Sequence, residues 1–374
     1  MKPNNPFLIT GYSSPLYFCD REEETKKMVD ALDNGRNLTL IAPRRMGKTG
    51  LIKNVFYNLK EKHPEVITFY MDIYSTQNRG DFIKLLASTV LGKLDSAPQK
   101  AISRIGKYLK SIRPIFTLDE FTGVPKVTIE MAPGNEENTL SEIFEYLKSS
   151  EKKCVLAIDE FQQIGDYPEK GMEALLRSHI QFLPNVVFIF SGSKQHIMQE
   201  MFLSAKRPFY LSTQIITIDS IDSVAYYNFA ASFFLDKDQQ LKEEDFFYIY
   251  NEFDGHTWYI QAILNRLYSY SKSPSKDLIN NVIEQLVSEY AYSYETLMTA
   301  YSQSNVSLIK AIANEGIVKE IHAGDFIAKY RLKATSTVNT ALKNLISKEL
   351  VYKSPNGYIV YDRFMSIWLK QQSY

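Results

Sequence analysis

Short apolar runs of strand length recur through the first half of the chain and alternate with longer stretches of helical periodicity. Helical patterns follow the first two runs, over residues 48–59 and 81–94, and a third over residues 169–182 precedes the fourth run. Such alternation is typical of a parallel sheet covered by helices on both faces. We therefore predict an α/β domain over residues 1–218. The predicted strands are Leu38–Ile41, Val66–Met71, Cys154–Ile158, Val186–Phe190 and Thr213–Ile218.

Residues 112–131 interrupt this alternation. Two short apolar stretches flank the sequence Thr122-Gly123-Val124-Pro125, which is a turn signal. Two strands joined by a tight turn form a hairpin. We predict a hairpin insertion at about 112–131 rather than a strand of the main sheet.

From residue 219 onward the pattern changes to helices rich in tyrosine and phenylalanine. Breaks in the helical pattern occur at Asp254-Gly255 and at residues 271–275, where serine, lysine and proline cluster. Residues 219–300 carry five Lys or Arg against thirteen Asp or Glu. We predict an acidic helical lid over this range.

The last part of the chain has the opposite charge balance, with ten Lys or Arg against five Asp or Glu over residues 301–374. Three short helical patterns, at residues 306–314, 324–330 and 336–348, precede two strand-like segments at 351–353 and 358–361. The segment Ser354-Pro355-Asn356-Gly357 separates the two strands as a turn. Helix, turn, helix and hairpin in this order predict a winged helix over residues 301–374.

Composition narrows the class of protein. The 374 residues are 45% hydrophobic and 23% charged, which is typical of a folded globular protein, and 43 Lys plus Arg balance 43 Asp plus Glu. The chain therefore has no net charge, and its overall electrostatics does not favour generic binding to nucleic acid or membranes. Two cysteines are too few for a disulfide scaffold, and five scattered histidines lack zinc-site spacing. Without a signal-like or membrane-spanning segment, we expect a cytoplasmic location.

The most specific motif follows the first predicted strand, at Ala42-Pro43-Arg44-Arg45-Met46-Gly47-Lys48-Thr49. It fits the phosphate-loop pattern G-x-x-x-x-G-K-[ST] except that Ala42 replaces the first glycine. In such a loop, backbone N–H groups and a helix N-terminus surround the phosphates, the lysine contacts the β and γ groups, and the hydroxyl binds Mg²⁺. We predict that residues 42–49 and Gly50 bind a nucleotide. Pro43 already favours an extended Ala42, which alanine adopts without strain.

A second motif is an apolar strand that ends in two carboxylates, Asp159 and Glu160. Alone, this pattern is more often a solvated strand end. After a phosphate loop, it predicts that Asp159 and Thr49 hold Mg²⁺ and that Glu160 activates the attacking water. An adjacent glutamate favours hydrolysis over transfer to a small molecule.

Further polar candidates follow the fourth predicted strand. We select Ser193, with Ser191 in reserve, as a side chain beside the γ-phosphate and the attacking water. Arg207, together with Arg44 and Arg45 of the loop itself, is a candidate cation for the γ-phosphate charge. The alternatives are a turn of small residues for the serines and an ordinary surface arginine for Arg207.

Six segments together carry a resemblance to a known family. They are Phe18-Cys19-Asp20-Arg21-Glu22, Pro43-Arg44-Arg45-Met46-Gly47-Lys48-Thr49, Asp159-Glu160-Phe161, Ser191-Gly192-Ser193, Arg207-Pro208-Phe209-Tyr210 and Tyr361-Asp362-Arg363-Phe364. With them the chain resembles the archaeal-type ATPases, in the AAA+ and STAND branch of P-loop NTPases. The resemblance implies an AAA+-like parallel-sheet core, a helical lid and a C-terminal winged helix. It also implies ATP rather than GTP, with residues 7–12 near the adenine. Gly255-His256-Thr257-Trp258 departs from the family's lid motif.

These observations predict a Mg²⁺-dependent ATPase in which ATP or ADP changes the positions of the lid and the winged helix. No arginine in cis is obvious for the transition state, so hydrolysis by a homo-oligomer is one expectation. Two alternatives remain: a nucleotide-gated DNA-binding regulator, and a signalling switch that binds an unknown protein with little turnover. For DNA, candidate contacts are Thr335, Ser336, Thr337, Asn339, Thr340, Lys343, Lys348, Lys353 and Arg363.

Overall fold

The computed structural model divides the chain into two compact units, residues 1–226 with 256–258, and residues 227–255 with 259–374. None of the helices in the described part of the chain is long and apolar enough to cross a membrane. The predicted turn residues Thr122, Gly123, Val124 and Pro355 lie outside the described residues. The structure describes residues 3–91, 93–94, 98–118, 125–132, 134–354 and 356–372.

The first unit is built on a five-stranded sheet in the order β2-β5-β6-β1-β7, in which every neighbouring pair of strands is parallel. This confirms the predicted parallel α/β core. All residues of β1 and β5 are buried, which explains why their sequences are predominantly apolar. The strands of the unit are β1 Leu38–Ile41, β2 Ile67–Asp72, β3 Ile112–Leu118, β4 Pro125–Met131, β5 Cys154–Asp159, β6 Val186–Gly192 and β7 Gln214–Thr217.

Helices cover both faces of this sheet. One apolar core contains residues of α1 and α2, and a larger one contains residues of α3, α5, α6 and α7. In the larger core, Phe161, Phe190, Phe202 and Phe209 pack ring against ring, with centroids 4.5–5.8 Å apart. The helices are α1 Glu22–Asp33, α2 Lys48–Lys62, α3 Arg79–Val90, α4 Pro98–Tyr108, α5 Glu136–Lys148, α6 Met172–Ile180 and α7 Gln195–Leu203.

The strands β3 and β4 pair with each other in antiparallel register and do not join the main sheet. Ile112 lies opposite Met131, and Leu118 lies opposite Pro125. This pairing agrees with the predicted hairpin. The hairpin packs through β4 against α3.

The second unit contains most of the acidic helical segment and the whole C-terminal segment. The tyrosine and phenylalanine residues of α8, α9 and α10 are buried or half-buried and none is fully exposed, which fits a packed core better than an exposed binding face. Left-handed conformations at Asp254 and Gly255 separate α9 from α10, as the break in the sequence predicted. The helices are α8 Ser223–Leu235, α9 Glu243–Glu252, α10 Thr257–Ser269 and α11 Lys276–Thr299. Both α8 and α10 begin in the first unit and continue in the second.

The C-terminal segment has the predicted order of three helices and a two-stranded hairpin, followed by a helix that the sequence analysis did not predict. This last helix, α15, packs against α11 and α12. Its first residue, Arg363, forms an ion pair of 2.6 Å with Asp254, and its side chain is only 14% exposed. The prediction that Arg363 reaches DNA phosphates is therefore wrong. The elements are α12 Gln303–Glu315, α13 Gly324–Lys329, α14 Thr335–Ser347, β8 Val351–Ser354, β9 Gly357–Val360 and α15 Arg363–Gln371.

Candidate functional site

Most of the predicted site residues lie at one edge of the main sheet. Because β5, β6 and β1 are neighbours and parallel, their carboxyl ends lie side by side. Residues 42–49 follow β1, Ser193 follows β6, and Glu160 follows β5. Ligands of open α/β sheets bind at this edge.

The loop between β1 and α2 has the backbone that its sequence requires. Arg45 has φ 64° and Gly47 has φ 94°, so the chain turns through two left-handed residues before α2 begins at Lys48. A Cβ on Gly47 would meet no atom within 4 Å, so its backbone conformation, rather than lack of space, favours glycine there. The first turn of α2 has no acidic residue. The free N–H groups of this turn can therefore donate hydrogen bonds to an anion without repulsion from a nearby carboxylate.

Lys48 is held by the loop itself. Its Nζ donates hydrogen bonds to the carbonyl oxygens of Ala42 and Pro43, both at 3.0 Å, and the residue is only 6% exposed. Burial lowers the pKa of Lys48, although Glu160 and Asp159 act in the opposite direction. A phosphate group would supply the negative charge that this buried cation lacks.

Asp159 and Thr49 are joined directly. Thr49 Oγ1 donates a hydrogen bond of 2.8 Å to Asp159 Oδ2, across 110 positions of sequence. Tyr70, in the neighbouring strand β2, donates a second hydrogen bond of 2.7 Å to the same oxygen. Burial, and then the negative charge of Asp159, raise the pKa of Tyr70, so its hydroxyl stays protonated and keeps donating. Tyr70 is a site residue that the sequence analysis missed.

These oxygens fit Mg²⁺. Among the residues described, no group of three or more His, Cys, Asp or Glu could hold a metal ion on its own. Mg²⁺ is usually bound by one or two protein oxygens together with waters and substrate phosphates, so it needs no such cluster. Thr49 and Asp159 supply a hydroxyl and a carboxylate beside the loop that would hold the phosphates.

Glu160 is held at the end of β5 in a left-handed conformation, with φ 56°. Ser193 Oγ donates a hydrogen bond of 2.7 Å to Glu160 Oε2, and Gln162 Nε2 donates another to the same oxygen. Ser191, the reserve candidate, lies inside β6 and is fully buried. The structure thus brings Ser193, and not Ser191, to the glutamate.

The three candidate arginines have different surroundings. The guanidinium carbon of Arg45 lies 4.0 Å from the centre of the Trp258 ring, within the first unit. That of Arg44 lies 6.0 Å from the centre of the Tyr74 ring. Arg207 forms ion pairs with two glutamates, Glu173 and, at 3.3 Å, Glu200. Its contacts in the described chain therefore do not include the phosphate loop.

The segment before α1 packs against α2, the helix that follows the phosphate loop. A Cβ on Gly50 would lie 2.9 Å from the ring of Phe18, so this ring packs directly on the first turn of α2. Tyr12 donates a hydrogen bond of 3.0 Å to Asn54, further along α2. Burial, with a contribution from Tyr57, raises the pKa of Tyr12 to about 12.

Arg21 shows why the segment before α1 needs an arginine. It is 4% exposed, its Nη1 is 2.9 Å from Glu24 Oε1, and its Nη2 donates to the carbonyl oxygen of Asp219 at 2.5 Å. The residue therefore fastens the start of α1 to the chain just after β7. This role is structural, and the sequence motif alone gave no indication of the partner.

Comparisons with known proteins identify two families of domains in the chain. Residues 18–263 match the family described as an ATPase domain predominantly from Archaea, and residues 292–371 match a probable winged helix domain. An uncharacterized ATP-binding protein of Methanocaldococcus jannaschii is 24% identical over 378 residues, which cover 94% of this chain and 96% of the relative. Another from the same organism is 31% identical over 166 residues, or 42% of this chain and 46% of the relative.

Two solved structures share the fold. The Walker-type ATPase of Pyrococcus abyssi has a TM-score of 0.68 at 18% identity, with 98% of this chain and 99% of that chain covered. The Aeropyrum pernix ORC2 protein, in ADPNP–ADP complexes, has a TM-score of 0.61 at 14% identity, with 99% and 98% covered. The predicted family resemblance is confirmed: the chain belongs to the family of ATPase domains found predominantly in Archaea and carries a C-terminal winged helix domain.

Proposed function

We propose that this protein binds ATP with Mg²⁺ and hydrolyses it to ADP and phosphate. The observation that carries the proposal is the 2.8 Å hydrogen bond between Thr49 and Asp159, which joins the phosphate loop to the acidic strand end. An incidental turn at residues 42–49 would have no reason to meet a carboxylate from a strand 110 positions away. The names of the relatives, as ATP-binding proteins, support the choice of nucleotide.

Each residue then has a separate task. Lys48 exchanges its carbonyl partners for phosphate oxygens, and the N–H groups at the start of α2 contact the phosphates. Thr49 and Asp159 hold Mg²⁺, which when bound neutralises charge on the phosphate oxygens. Glu160 accepts a proton from water as the water oxygen bonds to the γ-phosphorus and the bond to the β–γ bridging oxygen breaks. Ser193 keeps Glu160 oriented.

A substitution of Glu160 tests the hydrolysis step. In Glu160→Gln, we expect the dissociation constant for ATP to change little, while kcat falls by about 10²- to 10⁴-fold because the general base is lost. Glu23→Gln on α1 is the matched control, because Glu23 is exposed and paired only with Lys27 among the ion pairs described. Phosphate release and calorimetry measure the two quantities. Unchanged hydrolysis in Glu160→Gln would contradict the role given to this residue.

Nucleotide-dependent movement of the lid (219–300) and the winged helix (301–374) is the second part of the proposal. The support is that α10 starts in the first unit, where Trp258 stacks with Arg45 of the loop, and continues in the second. Of the two tryptophans, Trp368→Phe leaves only Trp258 as a reporter. We expect saturating ATP to change its fluorescence; an unchanged spectrum at saturation would exclude this route.

Assembly into a homo-oligomer belongs to the same proposal, because Arg207 is occupied by Glu173 and Glu200. An arginine from a neighbouring copy could then complete the site. Light scattering during turnover, with and without ATP, tests this. A strict monomer with full activity at every protein concentration would exclude it.

A nucleotide-gated DNA-binding regulator is the second candidate, favoured by one observation. The helix α14 contains no acidic residue, and its exposed side is polar or basic. Lys348 and, in β8, Lys353 are exposed as well. The exposed residues of α14 are Thr335, Ser336, Asn339, Thr340, Lys343, Asn344 and Ser347.

Salt dependence distinguishes DNA binding from a protein partner. Contacts to phosphates release counterions, so affinity for a labelled duplex should fall steeply as salt increases. We expect Lys343→Ala to reduce the slope of log K against log salt by about 1. Lys310→Ala on α12 is the control, because its Nζ is engaged with the carbonyl of Gln372. Binding that is equally strong at low and high salt would contradict phosphate contacts.

A further inference from the structure

The carboxylate of Glu160 has two donors on the same oxygen. Ser193 Oγ lies 2.7 Å from Oε2, and the amide nitrogen of Gln162 also donates to Oε2. The orientation of this amide follows from chemistry, because an ionised carboxylate only accepts hydrogen bonds and would repel the amide oxygen. With both lone-pair positions of Oε2 in use, Oε1 is the oxygen that remains to accept a proton from water.

Gln162 is buried, with 3% exposure, in the 3₁₀ helix that follows β5. Its amide lies against the backbone of Gly192 at the end of β6, where a Cβ would be only 2.4 Å from Gln162 Oε1. The absence of a side chain at Gly192 therefore makes room for the amide. The ends of β5 and β6 and the 3₁₀ helix therefore hold the side chain of Gln162 against Glu160.

This arrangement is poor for stability alone. Gln162 Oε1 is buried and accepts no hydrogen bond from the described residues. A buried polar atom without a partner costs free energy of folding, and an apolar side chain of similar volume would avoid that cost. A glutamine here is explained if its Nε2 has a task. Among the described residues, the hydrogen-bond partner of Nε2 is Glu160, the proposed general base.

We propose that Gln162 is a positioning residue for hydrolysis: it holds Glu160 Oε2 so that Oε1 faces the attacking water. The inference rests on the proposed ATPase function. In this proposal Gln162 acts through its hydrogen bond to Glu160. Loss of the amide allows the carboxylate to rotate away from the in-line water, and small misplacements of catalytic groups are costly in rate.

The test is Gln162→Met, which keeps the volume and removes both the donor and the unpaired oxygen. We expect kcat to fall by about 10- to 100-fold, with the KM and the calorimetric dissociation constant for ATP unchanged. The melting temperature should stay the same or rise, whereas a structural role predicts a fall. The matched control is Gln163→Met, because Gln163 donates to the carbonyl of Thr76 at 3.2 Å and does not contact Glu160. It should hydrolyse ATP at the rate of the unmodified protein.

A double variant separates positioning from other effects. In the Glu160→Gln background, Gln162→Met should cause no further loss of kcat, because the group through which it acts is already gone. An unchanged kcat in Gln162→Met, a fall in kcat accompanied by weaker ATP binding and a lower melting temperature, or additive losses in the double variant would each overturn the inference. If the unmodified protein binds no ATP or releases no phosphate, the proposed function itself fails, which these outcomes cannot imitate.

Discussion

Lys48→Met separates the stability of the nucleotide-free protein from its affinity for nucleotide. The lysine is buried, and its two hydrogen bonds go to carbonyls of its own loop. Methionine keeps most of the volume but removes the charge. The loss of two hydrogen bonds, each worth about 1 kcal/mol, is opposed by relief from burying a cation, so we expect a stability change under about 2 kcal/mol.

Nucleotide binding should change much more. Two charge-assisted contacts to phosphate are worth about 1.5–3 kcal/mol each, and they replace the two carbonyl contacts, so the net loss in the variant is about 1–4 kcal/mol. For a loss in the middle of this range, the dissociation constant for ATP rises by roughly seventyfold. ATP at 100 times the original dissociation constant stabilises the unmodified protein by about 2.7 kcal/mol, and Lys48→Met by only about 0.5 kcal/mol.

Thermal unfolding with and without MgATP measures both quantities. The pH dependence has a defined sign: the lowered pKa of Lys48 means that the charged form carries a cost in the folded state. That cost is complete below the folded-state pKa and disappears as pH rises to the ordinary lysine range. Without nucleotide, the free energy of unfolding of Lys48→Met relative to that of the unmodified protein should therefore decrease as pH rises into the alkaline range. An ATP-induced shift in melting temperature as large in Lys48→Met as in the original would refute this account of the loop.

Three further substitutions test individual contacts by thermal unfolding. Gly50→Ala should destabilise by about 1 kcal/mol despite better helix propensity, because the added methyl overlaps the Phe18 ring; a gain in stability would refute that packing. Arg21→Ala should cost about 2 kcal/mol, since it removes two hydrogen bonds made by a buried guanidinium; a neutral result would refute the fastening role. Arg207→Ala should cost about 1–2 kcal/mol through Glu173, whereas lost hydrolysis without lost stability would support the cation role that its sequence position suggests.

Much of the fold could be predicted from the sequence where local pattern and tertiary environment agree. The bounds of β1 match the prediction, Leu38–Ile41, because a strand buried on both faces is predominantly apolar. The helix α7 was missed, since it follows β6 after two residues and Lys194, at its N-cap, makes no side-chain cap bond. The helix α15 did carry a signal: Asp362 accepts a hydrogen bond from the N–H of Met365.

In the candidate site, likewise, some residues could be predicted from the sequence and others could not. The phosphate loop and Asp159 were recognisable because each position needs a particular residue type at a fixed spacing. Tyr70 was not, because its partner lies 89 residues away and the pairing depends on which strands are neighbours. Gln162 is only two residues from Glu160, but its proposed role depends on the space left by Gly192 at the end of the neighbouring strand β6. Residues that act through contacts between strands give no local signal.

The central claim is that the loop at residues 42–49 binds the phosphates of ATP beside the Thr49–Asp159 pair. Isothermal titration calorimetry of the full chain with ATP, in the presence and absence of Mg²⁺, tests it most directly. The account predicts saturable binding to one site, strengthened by Mg²⁺ and weakened by Lys48→Met. No heat at any temperature, together with no nucleotide-induced change in melting temperature, would contradict it.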